Sequence, residues 1–419
     1  MALRRFRYRM VHNWITDAKW GELVPIFHQE VTPGDTWEGM SSILVRTNSL
    51  VYPAFVAGKF DVFFFFVPHT LVWDGWEDFI TGVNTVDSPP TYALDDNIAT
   101  RRLTKQLGWG RTATSTTYNV NALSLYACNL IWNTHFRDQQ TDAERSLFDV
   151  NPLPVKFGRG DYYAGWRSEV QQGAEEQIPV IGGTHVLTTD VRDAMHRQKF
   201  RERRSQFGER YQDYLRAMGV NPGADRLDRP EFVAKARGML GISEVVTTAE
   251  GTTSNTGDYT GHGVSGVSLR FRRKQFVEHG SLLGFIACRP RNQMRKCIPR
   301  LITSSVKDDY FQQELARDTQ VAATLKEVYS EAGTPDAIIG YTARDEWLRS
   351  ATDVIASDMM DTAQEPWTAS REFSADPSLK DIQTVPEYPF LYQDTNSPNL
   401  FVYAAHAIGK RSIVPRRTR

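Results

Sequence analysis

The chain has 419 residues, of which 41% are hydrophobic and 11% aromatic, a composition that allows a large buried core. No apolar run approaches the ~20 residues of a membrane span, so no membrane insertion is predicted. Three scattered cysteines are too few for a disulfide framework or a zinc site and indicate synthesis in a reducing compartment. The net charge is only −1, yet both chain ends are strongly basic.

The basic tips are residues 1–10 and 410–419, neither of which contains an acidic residue. Such tips on an acidic chain predict contact with nucleic acid, although solvated tails that aid solubility have the same composition. In the first tip arginines alternate with Phe6 and Tyr8, which suits unpaired DNA because arginine neutralises phosphate and aromatic rings stack on bases. The pattern also suits a tail anchored on a neighbouring subunit. The predicted DNA-contacting residues are Arg4, Arg5, Phe6, Arg7, Tyr8, Arg9, Lys410, Arg411, Arg416, Arg417 and Arg419.

Three strands are predicted next, over residues 23–31, 37–46 and 59–67. The third contains four consecutive phenylalanines. Because a strand alternates its faces, Phe63 and Phe65 point to one side and Phe64 and Phe66 to the other. An exposed stretch of this kind would aggregate, so all four rings are expected to be buried. One pair would fill the core, and an insertion or a neighbouring subunit would cover the other.

Helical signals follow, over residues 121–136 and from Thr188 towards Leu215, with a break expected at Gly208. Residues 247–263 are rich in Thr, Ser, Gly and Asn and predict a mobile surface loop. Further strands are expected over residues 264–276, 277–288 and 400–408. Strands near both chain ends, separated by long helix and loop segments, predict one antiparallel β-barrel or sandwich with large insertions. These large insertions are expected to contact neighbouring subunits.

No motif in the chain carries a convincing catalytic signature. Residues 261–266 match G-x-G-x-x-G, but no strand is predicted before them and no helix after them, so nucleotide binding is not expected. His279 has no recognisable partner and is assigned a structural role. On a strand, Arg270, Arg272 and Lys274 share one face, which could meet either nucleic acid or another subunit.

Several short stretches occur together in a recognisable order: residues 23–26, 30–36, 61–68, 71–74, 129–133, 136–139, 161–163, 208–211, 225–231 and 278–280. As a set they resemble the major capsid protein of microviruses, the small circular single-stranded DNA phages, and especially its gokushovirus-like branch. Within or beside them, Trp73, Trp132 and Phe136 join the four phenylalanines as residues expected to pack in the core or at subunit contacts.

The resemblance implies a mainly β fold, with residues 1–419 forming a single eight-stranded antiparallel jelly-roll β-barrel with long insertions. It implies a T=1-like icosahedral coat subunit without enzymatic activity, cofactor or metal, located in the virion and assembled in the host bacterial cytoplasm. The implied partners are other copies of the chain, the single-stranded DNA genome, a small basic DNA-packaging protein, an internal scaffolding protein, a pilot protein and a host-cell receptor.

Two alternatives remain open from the residues themselves. One is a jelly-roll carbohydrate-active enzyme, which would need two carboxyl groups converging in a pocket. The other is a monomeric nucleic-acid-binding module. Both predict small particles in solution, whereas a coat subunit predicts shells or regular oligomers in electron micrographs.

Overall fold

A computed structural model describes most of the chain. The described residues are 5–82, 88–94, 102–110, 118–158, 160–169, 188–207, 229–248, 256–313, 320–394 and 398–415. Arg4, Arg416, Arg417 and Arg419 therefore lie outside the described residues, as does the predicted helix break at Gly208.

The described chain is mainly β, and its centre is one large curled antiparallel sheet. The strands are β1 (Phe6–Ala18), β2 (Glu22–Val31), β3 (Thr36–Thr47), β4 (Gly58–Pro68), β5 (Thr91–Leu94), β6 (Tyr118–Asn121), β7 (Leu153–Pro154), β8 (Glu231–Val246), β9 (Tyr259–Gln275), β10 (Gly280–Arg289), β11 (Gln293–Met294), β12 (Gln320–Thr324), β13 (Ile338–Ala343), β14 (Ser370–Arg371) and β15 (Leu400–Ser412). Nine of them form the main sheet in the order β1-β15-β3-β9-β8-β4-β10-β2-β7. The predicted fold class is confirmed at this level.

The sheet curls because β8 takes part in two pairings. Its first part, residues 231–240, pairs with β4, and its second part, residues 241–246, pairs with β9. This divides the sheet into a first half-sheet, β1-β15-β3-β9, and a second half-sheet, β8-β4-β10-β2-β7. The two half-sheets face each other across a shared core.

The shared core consists of apolar and aromatic side chains from both half-sheets. Phe64 on β4 lies 5.7 Å from Phe271 on β9, measured between ring centroids. Phe27 on β2 lies 5.0 Å from the buried His406 on β15. Side chains of the second half-sheet therefore contact those of the first directly, as in a β-sandwich.

Among the described residues, the helices are short, apart from one. They are α1 (Trp76–Thr81), α2 (Arg102–Gln106), α3 (Leu123–Ile131), α4 (Thr188–Phe207), α5 (Arg300–Thr303), α6 (Glu346–Arg349) and α7 (Leu379–Gln383). A π-helical turn, Trp132–Phe136, continues α3. At the start of α3 the side-chain oxygen of Asn121 accepts a hydrogen bond from the backbone N–H of Leu123, at 2.8 Å. Most α3 side chains are buried, which is typical of an internal helix.

Helix α3 covers the outer face of the second half-sheet. There Phe63 and Phe65 pack in a second apolar cluster that includes residues from β2, β4, β10 and α3. The ring of Phe136, beyond α3, meets Phe63 edge-on at 5.3 Å. Phe64 and Phe66 point the other way, into the shared core, and all four rings are buried. The chain's own insertion thus covers the second face of β4.

Three elements differ from the sequence predictions. Strand β1 occupies most of the segment predicted as a basic tip, because Phe6–Ala18 pairs along its whole length with β15. Strand β8 was not anticipated. The predicted loop over residues 247–263 is shorter than expected, since β9 begins at Tyr259 and pairs there with the end of β8. Within this part of β9, glycine is required at position 261, because a Cβ there would lie 2.6 Å from the backbone oxygen of Tyr52.

Candidate nucleic-acid interface and subunit contacts

The two basic tips meet as neighbouring strands. Register pairs Phe6 with Ser412 and Arg7 with Arg411, so the described parts of both tips lie at the same end of the first half-sheet. Antiparallel neighbours are about 4.8 Å apart, and residues directly opposite each other point to the same side. The tips are therefore part of the folded framework in the range that the structure describes.

Strand geometry separates the arginines of the first tip from its aromatic rings. Arg5, Arg7 and Arg9 are exposed, whereas Phe6 and Tyr8 alternate with them and are partly buried. The hydroxyl of Tyr8 donates a hydrogen bond to the backbone carbonyl of Val414, at 2.6 Å. Because a strand has a period of two, these arginines and rings lie on opposite faces. The combined phosphate and base contact predicted for this segment would therefore need two separate surfaces.

Lys410 does not lie on the face of the exposed arginines. Its ammonium group forms an ion pair with the fully buried Asp35, at 2.7 Å, and lies 5.1 Å from the ring centroid of Trp37. Burial alone would raise the pKa of Asp35, but hydrogen bonds from Lys410, Ser412 and Thr32 outweigh it and lower this pKa. Lys410 is thus paired with an internal carboxylate, and its contact with phosphate stays a prediction.

The remaining described arginines are joined by others that come from distant parts of the sequence. Register aligns Val11, Ala407, Met40 and Arg270 in one row across four strands. We call this exposed outer surface of the first half-sheet the arginine face. Its exposed arginines are Arg5, Arg7, Arg9, Arg46, Arg270, Arg272, Arg273 and Arg411.

The arginine face carries little compensating negative charge of its own. The carboxylate of Glu38 forms an ion pair with the guanidinium group of Arg7 at 3.2 Å, and both side chains are more than half exposed. Such an exposed pair contributes little to stability and does not immobilise either partner. Between the arginines lie exposed apolar side chains, among them Val11 and Ile15. An open, cationic and partly apolar surface can bind a polyanion along its length.

Of the predicted packing residues, Trp73, Trp132 and Phe136 lie in the cover of the second half-sheet. The indole N–H of the buried Trp132 donates a hydrogen bond to the carbonyl of Pro154, at 2.6 Å. Trp73 is half-buried and contacts Trp76 and Phe79 at centroid distances of 6.4 and 5.5 Å. These contacts are internal to the chain.

A different surface exposes several large apolar side chains close together in the sequence. It lies on the insertion between β10 and β15 and includes α5 and the residues after it. Its exposed side chains are Leu301, Ile302, Val306, Tyr310 and Phe311. In the sequence these apolar residues are mixed with polar ones without a strand or helix period, which is the pattern of apolar residues in an exposed segment. Clustered exposed apolar residues mark protein contacts.

The described part of the chain offers little to support metal chemistry. Within it, no group of three or more His, Cys, Asp or Glu side chains could hold a metal ion. Nor is any helix in the described ranges long and apolar enough to cross a membrane. The G-x-G-x-x-G match lies inside β9.

A curled β framework with a broad cationic face and exposed apolar insertions defines a structural protein that works by surface contacts. The family model for the phage capsid protein called F protein matches residues 1–152 and 178–400. The chain belongs to this family of phage capsid proteins.

Two curated relatives agree with the family. Capsid protein VP1 of Bdellovibrio phage phiMH2K is 25% identical over 482 aligned residues, which cover 90% of this chain and 89% of the relative. Capsid protein VP1 of Chlamydia phage 1 is 29% identical over 217 residues, covering 43% of this chain and 36% of the relative. Both come from microviruses, so the resemblance seen in the sequence is confirmed. The protein is a structural virion component and not an enzyme.

Proposed function

We propose that the chain is the repeating subunit of a T=1-like icosahedral shell that self-assembles and encloses single-stranded DNA. One observation carries the DNA contact: exposed arginines from β1, β3, β9 and β15 lie together on the arginine face. Arginine matches phosphate oxygens in a planar, two-pronged geometry and stays charged at all physiological pH values. In this proposal the arginine face lines the interior of the shell.

The strand order supports a jelly roll as the framework of the subunit. Eight strands give the orders β1-β15-β3-β9 and β2-β10-β4-β8, and they alternate along the chain between the half-sheets except from β4 to β8. Two interleaved Greek keys produce this pattern. In this proposal β7 is an added edge strand, and residues 69–230 and 290–399 are the two large insertions.

Contacts between copies would use the insertions. Leu301 and Ile302 are each more than two-thirds exposed, and Tyr310 and Phe311 are more than half exposed. Aromatic and aliphatic side chains of this kind anchor obligate interfaces, which are large and apolar. Many copies of a few such contacts would add up to a stable closed shell.

The remaining partners follow from the family resemblance and are proposed on that basis. They are a small basic DNA-packaging protein, an internal scaffolding protein, a pilot protein and a host-cell receptor. Assembly is proposed to take place in the cytoplasm of the host bacterium. A basic packaging protein would share the negative charge of the genome with the arginine face.

The DNA contact can be tested by neutralising four arginines of the face together: Arg7→Gln, Arg9→Gln, Arg270→Gln and Arg411→Gln. Virions produced with this variant should form shells of normal diameter in electron micrographs but retain less nuclease-protected DNA. DNA binding by the purified subunit should lose about three units of its logarithmic salt slope, since each neutralised phosphate contributes about 0.7.

A matched variant controls for the loss of surface charge. Lys105→Gln, Lys199→Gln, Arg349→Gln and Lys380→Gln remove four exposed cations from the insertions rather than from the strands of the arginine face, and should leave DNA retention unchanged. Full DNA retention and an unchanged salt slope in the arginine-face variant would refute the proposed contact. If the unaltered protein stays monomeric under all assembly conditions, the monomeric nucleic-acid-binding alternative is favoured instead.

A further inference from the structure

A cavity of about 400 Å³ opens on the outer side of the second half-sheet. Its wall includes the beginning of β4, the middle of β8, the end of β10 and the loops that follow β7 and β10. Because it lies outside the second half-sheet, it is on the opposite side of the sandwich from the arginine face. The DNA contact proposed above does not involve it.

One end of the cavity has an excess of positive charge. The buried carboxylate of Asp61 forms ion pairs with three cations. It lies 2.8 Å from Arg237 Nε and 3.4 Å from Lys235 Nζ, and it also pairs with Arg289. Three cations around one carboxylate leave two positive charges, and the exposed Lys59 adds another at the rim. Burial would raise the pKa of Asp61, but Arg237, Arg289 and Lys235 outweigh it and keep this carboxyl ionised.

Arg237 is arranged to bind something besides Asp61. Its Nε is used by the carboxylate, whereas its two terminal Nη groups have no hydrogen-bond partner among the described residues. The side chain is about half exposed, so these groups can reach a ligand. Two N–H donors on one rigid guanidinium match two oxygens of a phosphate group.

The other end of the cavity has a buried acceptor without a donor. Asn292 is only 2% exposed, and its amide nitrogen donates to Asp161 Oδ1 at 3.3 Å. Within the described structure its Oδ1 receives no hydrogen bond. Burying an acceptor without a donor is unfavourable, and such groups call for a partner. Here Arg291 is already paired with Asp353 at 2.7 Å, so this end has little excess charge.

We propose that the cavity binds a phosphate ester whose organic part carries an N–H or O–H group. The phosphate would lie against Arg237 and Lys59. The Asn292 side chain would turn to present its Oδ1, which is closed to solvent in this structure, to the donor. Inorganic phosphate satisfies the first end only, whereas an ester of suitable length satisfies both. The cavity volume is within the range of small-molecule sites. A nucleotide of a DNA chain and a free sugar phosphate share this chemistry.

Calorimetric titration of the full chain with inorganic phosphate, deoxyadenosine monophosphate and ribose 5-phosphate tests the proposal. At least one ester should bind about tenfold more tightly than inorganic phosphate, because it adds one buried hydrogen bond. Arg237→Gln should weaken all three probes by about tenfold or more. Arg237→Lys keeps the charge and should recover only part of the affinity, because the two-pronged geometry is lost.

Asn292→Ala separates the two ends of the cavity. It should remove the preference for the ester while leaving the affinity for inorganic phosphate within about twofold. Arg272→Gln, on the arginine face, serves as the charge-matched control and should leave all affinities unchanged. Unaltered thermal midpoints would show that each variant is folded.

The outcomes also identify the source of the ligand. Displacement of the bound nucleotide by a short oligodeoxynucleotide assigns the site to a DNA chain, whereas displacement by ribose 5-phosphate alone assigns it to a free sugar phosphate. The absence of saturable binding for every probe below about 10 mM would overturn the proposal. So would binding that Arg237→Gln does not weaken, or an ester preference that survives Asn292→Ala.

Discussion

The outer faces of the two half-sheets are built from the same backbone geometry but have opposite environments. On the second half-sheet Phe63 and Phe65 point outward and are buried by α3, whereas on the first half-sheet Arg7, Arg9 and Val11 point outward and are exposed. The difference follows from residue type at alternate positions. Where a strand has apolar residues on both faces, as β4 does, the insertion must cover the outer face. Where arginines occupy the outer face, as on β1, that face stays open for a partner.

The largest expected effect concerns the covered face. Phe65→Ala should lower the free energy of unfolding of the isolated subunit by about 3–5 kcal/mol, because it leaves a cavity between β4 and α3. Denaturant unfolding measures this value. Ile15→Ala, on the open face, is the matched control and should change stability by less than about 0.5 kcal/mol. Equal, small effects would mean that α3 does not cover β4 in solution.

Neighbouring residues of β15 sharpen the comparison, since they point to opposite sides. Lys410→Met should destabilise the subunit by about 3 kcal/mol, because it removes the cation that is paired with the buried Asp35. Arg411→Met should leave stability nearly unchanged and instead weaken DNA binding. Thermal unfolding and DNA titration of both variants separate the two roles. A stable Lys410→Met protein with weakened DNA binding would reverse the assignment.

A pH effect is expected in the core between the half-sheets. His406 donates from Nε2 to the carbonyl of Ile26 and accepts at Nδ1 from the hydroxyl of Ser41, both at 2.8 Å. Burial, opposed by the Ile26 hydrogen bond and aided by His12, lowers the pKa of His406 from 6.5 to about 4. In the unfolded chain the imidazole of His406 is therefore protonated below about pH 6.5, whereas in the folded chain it is protonated only below about pH 4.

Stability should accordingly fall as the pH is lowered through this window. Between pH 7 and pH 5 the contribution of His406 is a loss of about 2 kcal/mol. Denaturant unfolding at both pH values measures it, and His406→Gln should show a smaller loss than the unaltered chain. An identical pH dependence in the variant would show that His406 is not the group that titrates.

The smallest expected effect is on the open face itself. Glu38→Gln removes the acidic partner of Arg7 and should change the free energy of unfolding by less than about 0.5 kcal/mol, because the pair is exposed. DNA affinity at low salt should rise modestly, and this gain should disappear at high salt. A gain that persists at high salt would point to a non-electrostatic cause.

Local patterns in the sequence predicted much of the framework. The strands that correspond to β2, β3 and β4 and the start of α3 were recognisable from turn signals, apolar runs and helical spacing. Strand β1 was missed because its arginines suggested a solvated tail, and its pairing with β15 depends on a segment almost 400 residues away. Tertiary pairing, which a local pattern does not contain, decided its conformation.

The candidate interface depends even more on tertiary pairing, which local sequence patterns do not contain. The basic residues of the two tips were visible in the sequence, and so was the strand bearing Arg270 and Arg272. Their convergence on one face depends on the register of β1, β15, β3 and β9. The inward orientation of Lys410 could not be predicted from the sequence either, because neither its residue type nor its neighbours indicate an ion pair with the buried Asp35.

The antiparallel pairing of Phe6 with Ser412 has a practical consequence for engineering. Because these two positions are neighbours in space, a short peptide could join them and new ends could be opened in an exposed insertion loop, giving a circular permutant. Cargo fused after residue 412 or before residue 6 would emerge at the same corner of the subunit. In a closed container, both fusions would therefore deliver their cargo to the same side of the wall.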